Sequence, residues 1–480
     1  MGIRSHWKNY IDGHFVDSVA GRTIEVEDPA TGEKIAKIAR AEAEDVNLAV
    51  AAAKRSFDSR ALADLRPINR GRMLIDVARE LRRRQDEIAE VICYESGMGM
   101  VDSIDQVDCA AQYFEYYGGL ADKIEGSYIP LGKGFIDYTI PEPHGVSAHI
   151  IPWNFPIELV ARGVAPALAA GNTVVIKSPE LDPLHNTFLG EIAGSVGFPD
   201  GAINIIAGYG DDCGTALCEH PDVNQLVFTG SVPTGRKILD CAARRIIPAV
   251  VELGGKSAGM VMPDADLNKV VASTRVGIFF FSGQVCSAMS RLLVHSSIYD
   301  EVVDRLCEMV DGLSIGHGKD NSDITPLISE RQLQRVEGLV QSAVDAGAKI
   351  ARGGARVADS PGYFMQPTLI CDASPDMDAM QQEAFGPVLC ISAFDNEEEG
   401  VSIANGTRYG LCAGVFTQDL EAAHRIAARL KGGQIFINKW FAGGIETPFG
   451  GVGESGFGRE KGQDAIRNYY QTKNVGCLIG

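Results

Sequence analysis

The chain has 480 residues, of which 45% are apolar and 22% are charged, and its formal net charge is −19. This composition excludes a disordered or fibrous protein, and the length predicts about two to four domains. A chain this acidic has no general attraction for nucleic acid or for an anionic membrane, so we expect neither as a partner. The net charge does not exclude a local basic pocket that binds a cofactor.

The 11 cysteines are scattered along the chain and form no Cys-x-x-Cys or Cys/His cluster. This pattern predicts neither a disulfide framework nor a metal site. The N-terminal residues lack the apolar core of a signal peptide, and no later stretch is long and apolar enough for a membrane span. We therefore expect a cytoplasmic protein in a reducing compartment.

The N-terminal third combines short strands, helices and one extended ribbon. Short apolar groups alternate with turns over residues 9–40, which predicts edge strands. Apolar residues at helical spacing predict helices over residues 44–59, 68–94 and 105–125. Residues 135–140 alternate as a ribbon before Pro141 and Pro143 interrupt it. The ribbon has no core of its own, so we expect it to pair with another subunit.

From Gly145 to Glu252 a pattern of strand, turn and helix repeats. The predicted strands cover residues 146–151, 173–177, 203–206, 223–228 and 249–252, and the predicted helices cover residues 160–168, 185–196, 215–218 and 234–243. This is the pattern of a doubly wound α/β unit, in which a nucleotide binds at the carboxyl ends of the strands.

A second α/β block begins past Ser257. Its predicted helices cover residues 266–280, 299–313, 329–346 and 420–430, and its strands lie near 292 and over 387–393, 414–417 and 434–438. The segment from Glu252 to Cys286 therefore crosses from one block to the other. This places the segment in a cleft between domains, a common location for ligand sites.

Two side chains of that segment have the chemistry of covalent catalysis. Cys286 follows an apolar Phe279–Phe281 run and a Gly-Gln turn that would expose its thiolate as a nucleophile. Glu252 ends an apolar strand just before a glycine turn, where a carboxylate can serve as a general base. Taken singly, each has a plainer interpretation, as a buried structural cysteine or a solvated loop acid.

These two segments resemble the aldehyde dehydrogenase superfamily, in which the general base lies in a Glu-Leu-Gly-Gly-Lys segment and the nucleophile in a Gly-Gln-x-Cys segment. Further matches run in the same order from Trp153 to Arg459. The resemblance implies an α/β fold with a Rossmann-type cofactor domain, an α/β catalytic domain and a small β oligomerisation arm. The implied ranges are 1–124 and 144–254 for the NAD-binding domain, 255–466 for the catalytic domain, and 125–143 with 467–480 for the arm. Such an arm implies a homodimer or homotetramer.

The resemblance implies NAD as the cofactor. Lys177 and Glu180 follow an apolar strand and would bind the adenosine ribose, where the carboxylate disfavours the 2′-phosphate of NADP. Gly230 and Ser231 open a helix whose backbone N–H groups suit a pyrophosphate. The resemblance gives Glu383 the nicotinamide ribose and Phe385 the ring edge. The predicted cofactor set is Ile151, Pro152, Trp153, Lys177, Glu180, Gly230, Ser231, Leu253, Glu383 and Phe385.

Asn154 completes the predicted catalytic set. It lies at the end of the first strand of the α/β unit, where its amide can donate a hydrogen bond into the crevice. The resemblance implies that Cys286 adds to an aldehyde, that Asn154 stabilises the oxyanion and that hydride passes to NAD. Glu252 would then activate the water that releases the acid.

The predicted substrate pocket consists of Phe155, Leu159, Arg162, Phe280, Val285, Ser287, Trp440 and Phe441. Its aromatic side chains indicate a bulky, aromatic or semialdehyde substrate. Arg162 could attract a carboxylate or polar substituent of that substrate. The plainer alternative is an ion pair with Glu158, four residues earlier on the same helix.

Other functions stay open. A coenzyme-A-acylating aldehyde dehydrogenase of the same fold would not need Glu252, and a non-catalytic NAD-binding protein would need none of Asn154, Glu252 and Cys286. A stand-alone thiol hydrolase would need a histidine near its cysteine. None of the 9 histidines lies in a recognisable Cys/His motif.

Overall fold

A computed structural model of the protein describes residues 2–479. Its strands are β1 (His6–Trp7), β2 (Asn9–Ile11), β3 (His14–Val16), β4 (Thr23–Asp28), β5 (Glu33–Ala39), β6 (Tyr128–Ile129), β7 (Phe135–Pro143), β8 (Val146–Ile150), β9 (Thr173–Ser178), β10 (Ile203–Ala207), β11 (Gln225–Gly230), β12 (Ala249–Leu253), β13 (Ala258–Val261), β14 (Arg291–His295), β15 (Lys349–Arg352), β16 (Thr368–Cys371), β17 (Val388–Phe394), β18 (Cys412–Phe416), β19 (Gln434–Ile437), β20 (Gly456–Phe457) and β21 (Tyr470–Leu478). Its helices are α1 (Ala43–Asp58), α2 (Pro67–Arg83), α3 (Gln85–Ser96), α4 (Met100–Leu120), α5 (Glu158–Ala170), α6 (Thr187–Val196), α7 (Thr215–Glu219), α8 (Val232–Arg245), α9 (Leu267–Thr274), α10 (Tyr299–Asp311), α11 (Glu330–Asp345), α12 (Asp378–Gln381), α13 (Glu397–Asn405) and α14 (Leu420–Ala427).

The first large sheet has the strand order β20-β12-β11-β8-β9-β10-β2-β3. Its five central strands are parallel, and apolar helices cover both faces, so alternate residues of β9 point into two separate cores. The chain runs outward from β8 through β9 and β10 and then returns to the other side of β8 as β11. This reversal at β8 creates the crevice in which ligands of doubly wound sheets bind.

The second large sheet has the order β15-β16-β17-β14-β13-β18-β19. The chain then returns to the first sheet, because β20 pairs antiparallel with β12 and sets Gly456 beside Glu252. Gly456 has φ +108°, and a Cβ there would lie 2.0 Å from the Val251 carbonyl oxygen, so only glycine fits this approach. Residues 456–457 thus extend the first sheet from within the range predicted for the catalytic domain.

A separate three-stranded sheet, of order β21-β7-β6, lies within the ranges predicted for the arm. The prolines do not interrupt the ribbon as expected, because β7 continues through Pro141 and Pro143 in register with β21. The short β6 pairs only with Asp137 and Tyr138. The prolines therefore lie where one edge of β7 is unpaired, and their missing N–H groups cost no ladder hydrogen bond there.

The helix predicted over residues 68–94 is two helices, α2 and α3, separated at Arg84. The Arg84 guanidinium lies 4.7 Å from the ring centre of Phe188 and 2.7 Å from a carboxylate oxygen of Glu191. These contacts on α6 accompany the break, and periodicity alone did not reveal it. The helix predicted over 266–280 ends at Thr274 and continues as a wider turn, which begins the loop that carries Cys286.

We expect Asn172→Ala to lower the free energy of unfolding by about 2–4 kcal/mol, because it leaves buried backbone groups without partners. Asn172 is fully buried; its Oδ1 accepts from Gly145 N, and its Nδ2 donates to the carbonyls of Ala167 and Tyr469. It therefore ties α5 to β8 and to the start of the arm strand. Urea unfolding measures the change. Asn47→Ala on the exposed face of α1 is the matched control, and equal stabilities of the two variants would contradict the prediction.

Candidate active site

Two cavities meet at Cys286 in the cleft between the large sheets. The first cavity, of about 640 Å³, is lined by Pro152, Trp153, Asn154, Thr229, Gly230, Ser231, Glu252, Leu253, Gly254, Cys286, Gln332, Arg335, Glu383, Phe385 and Phe449. The second cavity, of about 710 Å³, is lined by Phe155, Glu158, Leu159, Arg162, Phe280, Val285, Cys286, Ser287, Gln434, Phe436, Phe441, Ala442, Gly443, Thr447, Phe449 and Lys461. Cys286 and Phe449 border both cavities, so a thiol at this position can reach ligands in each.

The loop that carries Cys286 is fixed by buried polar contacts. The Gln284 side chain donates to the carbonyls of Phe281 and Pro326 and accepts from the Ile328 N–H. Gly283 has φ +72°, and a Cβ there would lie 2.2 Å from the Gly386 carbonyl oxygen. The Gly-Gln pair before the cysteine is therefore a structural requirement of the loop, because it anchors the turn that presents the thiol.

The Cys286 thiol is half-buried, and burial raises its pKa to about 12. The nearby Arg162 guanidinium acts in the opposite direction and lowers it, while the carboxyls of Glu383 and Glu252 raise it. The group is therefore protonated at neutral pH, and a nucleophilic attack requires a base to remove its proton.

Asn154 lies beside the same loop and is 4% exposed. Its Nδ2 donates to the Gln284 carbonyl oxygen at 3.0 Å. An amide nitrogen has two N–H groups, so one donor remains for a group in the first cavity. Asn154 can therefore stabilise negative charge that develops near Cys286.

Glu252 is 2% exposed and lines the first cavity; neither of its carboxyl oxygens accepts a well-aligned hydrogen bond from residues 2–479, and the Gly451 backbone N–H approaches the carboxyl without such alignment. Burial raises its pKa well above the ordinary value, and the Glu460 carboxylate raises it further. The charges of Arg162 and Arg459 oppose this shift. An unpartnered buried carboxyl with a raised pKa is a stronger base than a solvated one once it has lost its proton.

Seven of the predicted cofactor residues line the first cavity: Pro152, Trp153, Gly230, Ser231, Leu253, Glu383 and Phe385. Ile151 does not; it is buried, and its N–H donates to the Lys177 carbonyl oxygen. Lys177 and Glu180 also lie outside this cavity, at the carboxyl end of β9, with Nζ and Oε2 3.1 Å apart. Strand pairing sets Lys177 beside Ile150, so the pair lies along the same sheet edge as the cavity.

Two residues of α11 that the sequence did not reveal hold the loop of Glu383 and Phe385. Gln332 donates to the Phe385 carbonyl oxygen at 2.8 Å, and Arg335 donates to that of Glu383 at 2.7 Å. Phe385 has φ +56° and meets Trp153 edge to face at 5.2 Å. Both α11 side chains also line the first cavity, but no local motif marks them because their role depends on tertiary packing.

Seven of the predicted substrate-pocket residues line the second cavity: Phe155, Leu159, Arg162, Phe280, Val285, Ser287 and Phe441. Trp440 does not line the cavity. It is 1% exposed, its ring packs behind Phe436 and Phe441, and its Nε1 donates to the Ser287 carbonyl oxygen. The sequence missed the wall residues Phe436, Phe449 and Lys461, among others, because the motifs around them did not indicate which side chains face the cavity.

Arg162 does not pair with Glu158, the plainer alternative of the sequence analysis. It pairs with Glu460, and both side chains are almost fully buried. Its guanidinium also lies 4.8 Å from the ring centre of Phe449. Glu158 instead accepts from the Gln106 amide at 3.1 Å. The charge of Arg162 is thus compensated within the protein, which weakens its attraction for a substrate carboxylate.

A thiol, an amide and a buried carboxyl around one cavity have the composition of an enzyme that acts through a covalent intermediate. Within the described residues, no histidine lines either cavity, which disfavours a Cys/His hydrolase. The same part of the chain contains no group of three or more His, Cys, Asp or Glu residues arranged to hold a metal ion. None of its helices has the length and apolarity required to cross a membrane.

Comparison with known proteins identifies the class. Residues 15–475 match the aldehyde dehydrogenase family. The chain is 40% identical to the mitochondrial aldehyde dehydrogenase family 2 member B4 of Arabidopsis thaliana, over 98% of this chain and 88% of that protein. It is 38% identical to the mitochondrial benzaldehyde dehydrogenase of Antirrhinum majus, with the same coverage of 98% and 88%. The NAD⁺ complex of an aldehyde dehydrogenase from Bacillus cereus superimposes with a TM-score of 0.97 at 36% identity, over 99% of this chain and 97% of that one. The protein therefore belongs to the aldehyde dehydrogenase family, and it is an enzyme of that class.

Proposed function

We propose that the protein oxidises an aldehyde to a carboxylic acid with NAD⁺, through an acyl intermediate on Cys286. The observation that carries the proposal is the position of Cys286, which borders both cavities while Asn154 and Glu252 line one of them. One cavity then suits the cofactor and the other the aldehyde. The reacting carbon would lie between them at the thiol.

The first cavity fits a nicotinamide dinucleotide in its chemistry. Ser231 is the N-cap of the 14-residue helix α8, which offers free backbone N–H groups to a pyrophosphate. Trp153 and Phe385 offer apolar surface to a ring, and Glu383 offers a carboxylate to ribose hydroxyls. A Cβ at Gly254 would lie 2.3 Å from the Glu383 carboxylate, so glycine keeps this space open. When bound, NAD⁺ supplies the hydride acceptor of the oxidation.

In the first step the Cys286 proton passes to solvent water, and the sulfur adds to the aldehyde carbon while the electron pair of the carbonyl π bond moves to the oxygen and forms an oxyanion. Asn154 Nδ2 and the Cys286 backbone N–H are the donors that would stabilise this charge, and loss of one such donor typically costs about 100- to 1000-fold in rate. Oxidation of this adduct leaves the acyl group on Cys286 as a thioester.

In the second step Glu252 takes a proton from water, and the resulting hydroxide attacks the thioester carbon. The carbon–sulfur bond breaks, the carboxylic acid leaves, and the proton that Glu252 took from water passes to the sulfur, so that Cys286 regains its thiol and Glu252 its carboxylate. The raised pKa of Glu252 makes its carboxylate a better proton acceptor than an exposed one. Hydrolytic release of this kind distinguishes the proposal from transfer of the acyl group to coenzyme A.

The second cavity supports a bulky, aromatic aldehyde as the substrate. Five phenylalanines line it: Phe155, Phe280, Phe436, Phe441 and Phe449. Phenyl rings offer broad apolar contact and prefer edge-to-face or offset packing against another ring. A relative that matches 98% of this chain is named for benzaldehyde, which agrees with this preference.

The arm supports a homodimer or homotetramer. The exposed apolar side chains of its sheet include Tyr128, Phe135, Ile136, Tyr138 and Leu478. Exposed apolar side chains concentrated on one small sheet favour a role for that sheet in a protein interface. We infer a reducing, cytoplasmic compartment from the cysteines, because all 11 are free in the described structure.

The test measures NADH formation by the purified protein with aliphatic, aromatic and semialdehyde substrates, with and without coenzyme A. Acid release with NAD⁺ alone supports the proposal. A requirement for coenzyme A would favour the acylating alternative, and cofactor binding without turnover of any aldehyde would favour a non-catalytic protein.

We expect Glu180→Gln to raise kcat/KM for NADP⁺ relative to NAD⁺ by about tenfold, because the substitution removes a negative charge that would repel the 2′-phosphate. It also removes the carboxylate partner of Lys177 Nζ, which is 3.1 Å away. Steady-state kinetics with both cofactors give the ratio. Glu33→Gln on the exposed strand β5 is the control, and an unchanged ratio in Glu180→Gln would place the ribose elsewhere.

A further inference from the structure

The second cavity contains one cation that the protein does not pair within the described residues. Arg162 and Lys461 are its cationic wall residues, and Arg162 forms an ion pair with Glu460. Lys461 has no carboxylate within 4.0 Å of its ammonium group within residues 2–479, although its side chain is half-buried. Burial lowers its pKa, and the positive charge of Arg162 lowers it further.

Glu158, the acidic residue that lines the second cavity, does not form an ion pair with Lys461. Glu158 accepts from the Gln106 amide at 3.1 Å, and it lies beyond ion-pair distance of the Lys461 ammonium. Its charge still raises the pKa of Lys461, so it partly supports the charged form. The charge of Lys461 is therefore available to a ligand, whereas Arg162 already forms an ion pair with Glu460.

The backbone fixes Lys461 at the cavity wall. Its φ is +62°, a left-handed conformation that few non-glycine residues adopt. On one side, Glu460 exchanges two backbone hydrogen bonds with Phe449, which borders both cavities. On the other side, the Gly462 N–H donates to the Ile445 carbonyl oxygen, and the Gly462 carbonyl accepts from the Tyr117 hydroxyl at 3.0 Å. These contacts fix the backbone of Lys461, so its side chain starts from a defined point on the cavity wall.

We propose that Lys461 binds a carboxylate on the aldehyde substrate, remote from the reacting carbonyl, and so selects anionic aromatic or conjugated aldehydes. The inference rests on the proposed function of the same cavity. Phenyl rings would hold the body of such a substrate, and the ammonium group would hold its anionic group. Arg162, the residue that the sequence suggested for this role, serves instead as the buried partner of Glu460.

The test compares 4-formylbenzoate with 4-methylbenzaldehyde, a neutral aldehyde of similar shape, in the parent and in Lys461→Met. We expect kcat/KM for 4-formylbenzoate to fall by about 10- to 100-fold, mainly through KM, as is typical for loss of a hydrogen bond to a charged group. The value for 4-methylbenzaldehyde should change less than about threefold. Lys461→Arg should restore most of the preference, and Lys349→Met, at an exposed site, is the matched control.

Equal losses for the two aldehydes would overturn the proposal, because they would show that Lys461 acts on the fold and not on the carboxylate. 3-Formylbenzoate and succinic semialdehyde extend the test to other distances between carbonyl and carboxylate. If the parent prefers anionic aldehydes and Lys461→Met keeps that preference for all three anionic substrates, the proposal would also be overturned. If the parent oxidises no aldehyde, the proposed function fails separately. Calorimetric binding of terephthalate to the protein alone then decides on the anion site: binding that is lost in Lys461→Met supports it, and binding that is absent or unchanged refutes it.

Discussion

Replacement of Cys286 by alanine should lower NADH formation from every aldehyde by at least about 10⁴-fold, since loss of a catalytic nucleophile leaves only binding and oxyanion stabilisation. The substitution removes one sulfur atom from a half-buried position between two cavities, so the fold should survive. Steady-state rates give the loss of activity, and thermal unfolding confirms the integrity of the variant.

Cys307→Ala is the matched control, because Cys307 is buried on α10 and lines neither cavity. It should retain most of the activity. A Cys286→Ala protein as active as the parent would contradict the covalent mechanism and would return the non-catalytic or non-covalent alternatives to consideration.

Replacement of Glu252 by glutamine should separate the two chemical steps. If Glu252 activates the deacylating water, the variant should form up to one NADH per subunit rapidly and then turn over about 10²- to 10⁴-fold more slowly than the parent. Glutamine keeps the shape and hydrogen-bonding capacity of the side chain but cannot accept the proton. Stopped-flow kinetics show the burst, and intact-protein mass spectrometry shows the acyl group on Cys286.

The parent should show a characteristic pH dependence of deacylation. Burial and Glu460 raise the pKa of Glu252, so at lower pH the carboxyl holds its proton and cannot accept another. The rate should therefore rise with pH and level off only above that raised pKa, and Glu252→Gln should lose this dependence. A variant without a burst, whose NADH formation is slow from the first turnover, would assign Glu252 to thiol activation instead.

The sequence predicted the alternation of elements well, because buried parallel strands and amphipathic helices leave strong local patterns. It failed where tertiary contacts decide the local conformation. The break at Arg84 coincides with a contact to Phe188 on another helix, and β7 tolerates Pro141 and Pro143 because one edge is free there. Neither neighbour can be read from the local pattern.

The site residues also divide into those that local sequence indicates and those that depend on tertiary contacts. Asn154, Glu252 and Cys286 lie in short segments whose glycines and flanking strands can be recognised, and the structure brings them to one cavity. The substrate wall has no such signature. Trp440 and Phe441 are adjacent, and the local sequence does not indicate which of them faces the cavity. The ion-pair partner of Arg162, Glu460, lies 298 residues further along the chain.

The return of β20 to the first sheet has a consequence for how the two large sheets can move. The main chain passes between the two large sheets after β12 and again before β20, and both passages lie at one side of the first sheet, where β20 is the edge strand and its neighbour β12 carries Glu252. Two chain crossings at one edge act as a hinge, so the two sheets can rotate relative to each other mainly about that edge. Because Glu252 lies beside this hinge, we expect the distance between its carboxyl and the Cys286 thiol to change less during turnover than distances at the far side of the cleft.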